Sequence, residues 1–213
     1  MMWRSLGLFL AAVLTVNSQA NAATISFDAD PFAGSTALIT PGRQIVGNEL
    51  FTTFDIATDV FAFDASVFGI SSISFANNVV NNIPPTGINV AVLQTFDDDN
   101  NPATPFGAGN AANLIAAQLV TSTPGFFVYF NQGLDLPRLV FSTDLSDNTS
   151  DLRVLARLTN LSGQTGRDAL AQFTPANFAI TQVPEPSSVS LLMLGGGLAS
   201  LYRKLRRGAS QKR

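Results

Sequence analysis

The residues best suited to bind a ligand form a run of acids and amides, Asp-Asp-Asp-Asn-Asn, that begins at Asp97. Asp97, Asp99 and Asn101 stand at positions one, three and five of the run, the spacing at which calcium-binding loops present oxygen atoms. An EF-hand would have glycine at the sixth position and glutamate at the twelfth, whereas Pro102 and Ala108 stand there. The run is therefore a candidate calcium site of another kind, and its alternative is a solvated turn.

The residue types that the sequence lacks argue against most kinds of catalytic site. The chain has no histidine and no cysteine, so it cannot form a Ser-His-Asp triad, a cysteine nucleophile or a typical zinc centre. Residues 23–182 also contain no lysine, which removes a Ser-Lys dyad. Carboxylate chemistry remains, but no spacing singles out a pair of the kind that glycosidases use. These observations predict a protein that is not an enzyme, with no required cofactor.

The middle of the chain is strongly acidic. Residues 23–182 hold fourteen acidic residues and five arginines, a net charge of −9, although the whole chain has a formal net charge of −3. A domain with this charge repels phosphate backbones, so nucleic acid is not an expected partner. At 160 residues this segment is long enough to be stable on a hydrophobic core without disulfides.

The pattern of apolar residues predicts strands more than helices. Residues 88–96, INVAVLQTF, alternate in the way of a half-buried strand and are bounded by turn residues on both sides. Two Ala- or Leu-containing stretches with helical spacing predict short helices at residues 110–119 and 166–173. The fold class is therefore mainly β, an antiparallel β-sandwich with one or two short helices. Further strands are predicted at residues 24–28, 49–55, 60–64, 70–75, 126–130, 136–142, 152–159 and 178–182.

The N-terminal residues 1–22 have the three regions of a signal peptide. Arg4 supplies a positive charge, residues 6–16 are apolar, and Ala20 and Ala22 form the small-x-small pattern that signal peptidase recognises. The apolar run is too short for a membrane span of about 20 residues. We expect cleavage after Ala22, which leaves residues 23–182 as the exported β-rich domain; the alternative is a buried N-terminal helix.

The C-terminal segment begins with a short proline-containing linker, residues 183–188, which includes Pro184, Glu185 and Pro186. The two prolines lack N–H donors and restrict the residues before them, so the linker should be extended and exposed. Residues 189–202 carry no charge and include several glycines. Because glycine is well tolerated in membrane helices, we predict a single transmembrane helix over this segment.

A basic tail, residues 203–213, follows the predicted span. Arg203, Lys204, Arg206 and Arg207 stand directly after the apolar segment. By the positive-inside rule these residues stay in the cytoplasm, which places the acidic domain on the other side of the membrane. The signal peptide requires the same orientation.

The Pro-Glu-Pro triplet, the apolar segment and the basic cluster occur in the order that resembles the PEP-CTERM sorting signal. The resemblance implies export in a Gram-negative bacterium that makes exopolysaccharide. It also implies that Pro184, Glu185 and Pro186 are read as a substrate by exosortase, a membrane-embedded, transpeptidase-like enzyme. The alternative is an ordinary C-terminal anchor on a proline-rich stalk. The resemblance covers about the last 30 residues and implies nothing about the domain in the middle.

The sequence thus predicts an exported, non-enzymatic protein of the cell surface or extracellular matrix. Its expected partners are signal peptidase, the cytoplasmic membrane, an exosortase and, through divalent cations on the acidic surface, exopolysaccharide. The alternatives at the same location are a glycan-binding module, a calcium-stabilised adhesin-like domain and a carboxylate-based glycan hydrolase. An aromatic groove would indicate glycan binding, and two acids converging in a pocket would indicate a hydrolase.

Overall fold

The computed structural model describes residues 22–101 and 103–182, which form ten strands, three short α-helices and two 3-10 turns. The helices are α1 (Ala65–Phe68), α2 (Ala108–Ala116) and α3 (Gly163–Leu170), and the 3-10 turns are Val80–Asn82 and Pro175–Asn177. The strands are β1 (Thr24–Phe27), β2 (Ile45–Val46), β3 (Leu50–Thr52), β4 (Val60–Asp64), β5 (Phe75–Asn78), β6 (Val90–Leu93), β7 (Gly125–Asn131), β8 (Leu136–Ser142), β9 (Leu152–Leu158) and β10 (Phe178–Thr181).

The strands form two sheets, which confirms the mainly β class. The small sheet has the order β1-β4-β10, and the large sheet has the order β2-β9-β8-β7-β6-β5 with β3 also paired to β9. The predicted antiparallel pairing is wrong for most neighbours. Both pairs of the small sheet are parallel, as are β2-β9, β3-β9, β5-β6 and β6-β7. Of the pairs in the described residues, β7-β8 and β8-β9 are antiparallel.

Long crossover connections explain the parallel pairs. Parallel neighbours cannot be joined by a tight hairpin and need a connection of a dozen or more residues. Between β6 and β7 the connection contains α2, and between β1 and β4 the chain crosses to the large sheet to form β2 and β3. Alternation of apolar residues reports which face of a strand is buried but not the direction of its neighbour, so the sequence pattern did not distinguish the two arrangements.

Phenylalanine rings fill the space between the two sheets. Phe63 of β4 stacks on Phe126 of β7 with ring centroids 3.7 Å apart, and Phe54 stacks on Phe61 at 4.1 Å. All four rings are fully buried, and large aromatic side chains dominate the apolar surface that such cores bury. A second cluster lies on the other face of the large sheet, where α2 contributes Ile115.

Both predicted helices are present, but each begins and ends two or three residues earlier than expected. The one-turn helix α1 was not predicted. Its N-cap is Asp64, whose carboxylate accepts the backbone N–H of Ser66 at 2.8 Å, and it ends at Gly69, which has φ of 67°. Carboxylates and left-handed glycines are common at these two ends of a helix.

Strand β5 lies later in the chain than the predicted strand at residues 70–75. Its sequence, Phe-Ala-Asn-Asn, has low strand propensity. The side-chain amide of Asn77 donates to the carbonyl oxygens of Leu170 at 2.8 Å and Phe173 at 3.0 Å. These carbonyls are at and beyond the C-terminal end of α3, where backbone oxygens lack helical partners. A contact with a distant helix end therefore fixes a strand that local sequence does not favour.

No helix in residues 22–101 and 103–182 has the length and apolar character needed to cross a membrane. Most of the predicted signal peptide, including Ala20, lies outside the described residues, as do the linker at 183–188, the predicted span at 189–202 and the tail at 203–213.

Candidate functional site

The acidic run that begins at Asp97 forms a tight surface loop between β6 and α2. Carboxylate oxygens of Asp97, Asp98 and Asp99 lie within 4.8 Å of one another, close enough to approach a single cation. Asp97 is half-buried, and the other two are exposed. Asp97 and Asp99, both candidate calcium ligands, therefore lie close together, and Asp98, which the one-three-five spacing had omitted, lies beside them.

Hydrogen bonds within the loop occupy several of these oxygens. Asp97 Oδ1 accepts the backbone N–H of Asp99 at 3.1 Å and of Asn100 at 2.8 Å. The amide oxygen of Asn101 accepts the N–H of Ala103 at 3.1 Å. Such bonds from a side chain to the backbone two residues later are the usual way that Asp and Asn stabilise turns.

The carboxylates of Asp98 and Asp99 also accept hydrogen bonds from nearby groups. Asp98 Oδ2 accepts from the amide of Asn110 on α2 at 3.0 Å. Asp99 accepts the hydroxyl of Thr104 at 2.5 Å and the N–H of Asn101 at 2.8 Å, and these two bonds lower the pKa of its carboxyl group. The loop is therefore already ordered by its own hydrogen bonds, and a cation would have to compete for the oxygens that accept them.

A second acidic segment contains Asp144, Asp147 and Asp151 and links loops that are distant in sequence. Asp151 accepts the N–H groups of Leu38 at 2.7 Å and Gln44 at 2.6 Å, more than 100 residues earlier. Burial raises the pKa of Asp144, but hydrogen bonds from Ser122, Thr123 and Ser146 outweigh that effect and lower it. These carboxylates stabilise the fold as hydrogen-bond acceptors.

Two shallow clefts lie on the surface near these loops. One, of about 290 Å³, lies between the loop at 85–89 and residues 121–123. The other, of about 400 Å³, lies between α2 and the loop at 146–148. Neither has an aromatic side chain in its wall, and Asp147 is the one acid among their lining residues. These two clefts therefore have neither a sugar-stacking surface nor the pair of converging carboxylates that a glycosidase needs.

The sequence analysis missed a buried ionic cluster formed by Glu49, Arg138 and Arg157. Glu49 Oε2 accepts from Arg138 at 2.7 Å, Glu49 Oε1 accepts from Arg157, and the glutamate side chain is only 7% exposed. Burial, the largest influence, raises the pKa of Glu49, but the hydrogen bonds and positive charges of the two arginines together lower it. The Arg157 guanidinium also lies 4.5 Å from the ring centroid of Phe51.

The strand register explains why this cluster exists. Arg138 of β8 and Arg157 of β9 are direct cross-strand partners, and like charges at such positions destabilise a sheet. Glu49, immediately before β3, places one carboxylate between the two guanidinium groups and so ties β3 to both strands. Arginines in two mainly apolar strands were the sequence signal for this cluster. The sequence alone does not show that the two arginines are neighbours, because that depends on the strand register.

Comparison with known proteins found a match for the C-terminal part of the chain. Residues 182–207 match the model of the PEP-CTERM protein-sorting motif. The chain carries a PEP-CTERM sorting motif. The match contains Pro184, Glu185 and Pro186 together with Arg203, Lys204, Arg206 and Arg207, seven residues that the sequence analysis had singled out. No curated protein and no solved structure matches the chain.

The described fold ends where the PEP-CTERM motif begins. Strand β10 ends at Thr181, and the matched residues start at Gln182, which is exposed. A PEP-CTERM motif indicates export and processing by an exosortase, so the folded domain is the cargo of this signal.

Proposed function

We propose that this protein is an exported, non-enzymatic component of the bacterial cell surface or extracellular matrix, anchored by the helix predicted at residues 189–202 until an exosortase processes it. The observation that carries the proposal is the PEP-CTERM motif at residues 182–207, directly after the last strand of the β-rich domain. The acidic charge of that domain keeps it soluble and allows it to associate with anionic exopolysaccharide through divalent cations.

The topology of the small sheet supports processing at both ends of the domain. Strands β1 and β10 lie on either side of β4 and run parallel to it. Thr24 pairs with Val60 at the start of β4, and Thr181 pairs with Asp64 at its end. The two ends of the domain therefore leave opposite ends of the sheet, about 13 Å apart along β4. Cleavage on either side removes no strand.

The arrangement of chemical groups supports a role other than catalysis. The carboxylates of Asp144 and Asp151 accept hydrogen bonds that hold loops together. The acids most able to act together, Asp97 to Asp99, lie on an exposed loop rather than in a cleft. Carboxylate-based glycan hydrolysis requires a general acid with a raised pKa. Within residues 22–101 and 103–182, each carboxyl group with a shifted pKa has a lowered one.

The test is mass spectrometry of the mature C-terminus in an exosortase-producing host and in the same host without the enzyme. We expect a C-terminus within or close to the Pro-Glu-Pro segment only when the enzyme is present. A variant with Pro184→Ala, Glu185→Gln and Pro186→Ala should keep the full tail, and Ser187→Ala is the matched control that should be processed normally. An intact C-terminus in the enzyme-producing host would overturn the proposal.

A further inference from the structure

A buried carboxylate binds the first residue of the predicted mature chain. Asp59, directly before β4, is 7% exposed. Its Oδ1 accepts the backbone N–H of Ala23 at 2.8 Å, and its Oδ2 accepts the N–H of Asp55 at 2.8 Å. Ala23 is the residue that signal peptidase would expose as the new N-terminus.

The turn that carries Asp59 is held rigidly from two sides. The N–H of Asp59 donates to the carbonyl of Asp55 at 2.8 Å. The side-chain amide of Asn177 donates to the carbonyls of Ile56 at 2.7 Å and Asp59 at 3.0 Å. The carbonyl of Ala23 also accepts the N–H of Val60 at 2.9 Å, which continues into the β1-β4 pairing. The carboxylate is therefore preorganised opposite the nitrogen of Ala23.

We propose that Asp59 is the binding site for the mature N-terminus, a role that rests on the predicted cleavage after Ala22. Hydrolysis of the bond between Ala22 and Ala23 adds the hydroxyl of water to the carbonyl carbon of Ala22 and a hydrogen to the nitrogen of Ala23. The new amine takes a further proton from solvent and becomes an ammonium group. The hydrogen bond from a neutral amide N–H to the carboxylate at 2.8 Å thereby becomes an ammonium–carboxylate ion pair, in which the donor also carries a full positive charge.

The surroundings favour this ion pair. Ala22 and Ala23 are exposed, so the scissile bond is accessible and the ammonium group keeps water on its other N–H groups. Burial raises the pKa of Asp59, but hydrogen bonds from Ala23, Asp55 and Thr58 outweigh that effect and lower it.

The neighbouring elements bring no competing positive charge. The 3-10 turn Pro175–Asn177 carries no titratable side chain, and Asp55 is the other acid of the Asp59 turn. Asp28 and Asp64 lie at the far ends of β1 and β4.

The pH dependence follows from the two groups. An unperturbed α-amino group has a pKa of about 7.7–8.0, and a neighbouring carboxylate raises it in the folded state. The ammonium contribution to stability is then complete below that unfolded value and is lost as the pH rises through the folded value. The Asp59 contribution is present above its unfolded pKa of about 3.9 and is lost on acidification. The ion pair should therefore stabilise the protein between about pH 5 and 8.

The test compares three forms of the chain ending at Arg213 in detergent: one beginning with a free amine at Ala23, one acetylated at Ala23, and one that retains Asn21 and Ala22. Acetylation keeps the N–H donor and removes the charge. We expect the free-amine form to melt about 3–6 °C higher than both others at pH 6–7, with the difference vanishing above about pH 10. A pKa of the Ala23 amine above 8, measured by NMR titration, is the second expected result.

Asp59→Asn supplies the control, since it should remove the difference between the free and acetylated forms. If that variant does not fold, the NMR titration of the wild-type amine still decides. Equal melting temperatures for the free and acetylated forms from pH 5 to 9, with an unshifted amine pKa, would overturn the inference while leaving export untouched. N-terminal sequencing of the exported protein tests the premise that cleavage occurs after Ala22. A first residue other than Ala23 would contradict that premise even if the protein is exported.

Discussion

The two sheets differ in where their strands come from and in how they are buried. The small sheet joins the first and last strands of the domain to β4, and its outer strands are four residues long and partly exposed. The large sheet is built from the middle of the chain, and every residue of its strand β7 is buried. The predicted and matched processing signals thus flank the small sheet, while most of the core belongs to the large one.

Strand β4, although only five residues long, anchors the small sheet to the core. Four of its five residues are buried, and it is the common neighbour of the strands next to the predicted signal-peptide site and the matched sorting motif. Phe63 of β4 also packs against Phe126 of the large sheet. Tension or cleavage at either end therefore acts on edge strands, while the central strand remains anchored in the core.

The largest expected effect comes from removing the contact between the sheets. Phe63→Ala deletes a fully buried ring that stacks 3.7 Å from Phe126, so the free energy of unfolding should fall by about 3–5 kcal/mol. Urea denaturation measures the change. The matched control is Phe51→Ala at the edge of the large sheet, where the ring is 63% exposed and the cost should stay below about 1 kcal/mol. Similar losses for both variants would contradict the anchoring role of β4.

A second prediction tests the close packing of the large sheet. A Cβ atom on Gly125 in β7 would overlap the carbonyl oxygen of Asn89 and the side chain of Leu145. Gly125→Ala should therefore lower the free energy of unfolding by about 2–3 kcal/mol, measured by urea denaturation. The control is Gly47→Ala, since an added Cβ there meets nothing within 4 Å. An equally stable Gly125→Ala variant would show that this part of the sheet can move apart.

A third prediction concerns the ionic cluster on the large sheet. Glu49→Gln removes the charge between Arg138 and Arg157, so the free energy of unfolding at pH 7 should fall by about 1–3 kcal/mol. The pKa of Glu49 is lowered in the folded protein, so its contribution is present above the unfolded value of about 4.3 and is lost as the pH falls. The difference between wild type and variant should therefore shrink by pH 3.

The control for this prediction is an exposed ion pair. Arg167 and Asp135 lie 3.8 Å apart, and the side chain of Asp135 is 58% exposed. Asp135→Asn should change the free energy of unfolding by less than about 0.5 kcal/mol. If Glu49→Gln were equally mild at pH 7, the cluster would not be needed to offset the repulsion between the paired arginines.

The sequence predicts the position of strands better than their partners. Strand β6 lies inside the predicted segment at 88–96 because buried apolar residues end at turn residues on both sides. Strand β2 has two residues, Ile45 and Val46, too few to show any alternation, and was not predicted. The parallel pairing depends on where α2 and the chain crossings lie, which is a property of the whole fold rather than of any one segment.

The candidate sites also differ in whether the sequence alone could reveal them. The sorting motif is a contiguous pattern, so the sequence was sufficient to place Pro184, Glu185 and Pro186 within a matched motif. The Glu49 cluster joins residues up to 108 positions apart, and the Ala23–Asp59 contact joins residues 36 apart. The sequence alone does not reveal the cluster, because β3, β8 and β9 must first be known to be neighbours. The Ala23–Asp59 contact likewise depends on the pairing of β1 with β4.

The smallest expected effect is that of calcium on the loop beginning at Asp97. Its acidic oxygens lie within 4.8 Å of one another, yet Asp97 Oδ1 already binds two backbone N–H groups and Asp98 binds the amide of Asn110. We therefore expect 5 mM calcium to raise the melting temperature of the protein in low-salt buffer by less than about 1 °C, as for a solvated turn. An increase of several degrees that is lost in the variant with Asp97→Asn and Asp99→Asn, but kept in Asp147→Asn, would instead establish a calcium site on this loop. That result would favour a proposed exopolysaccharide contact at this loop, beside α2, over one spread across the acidic surface.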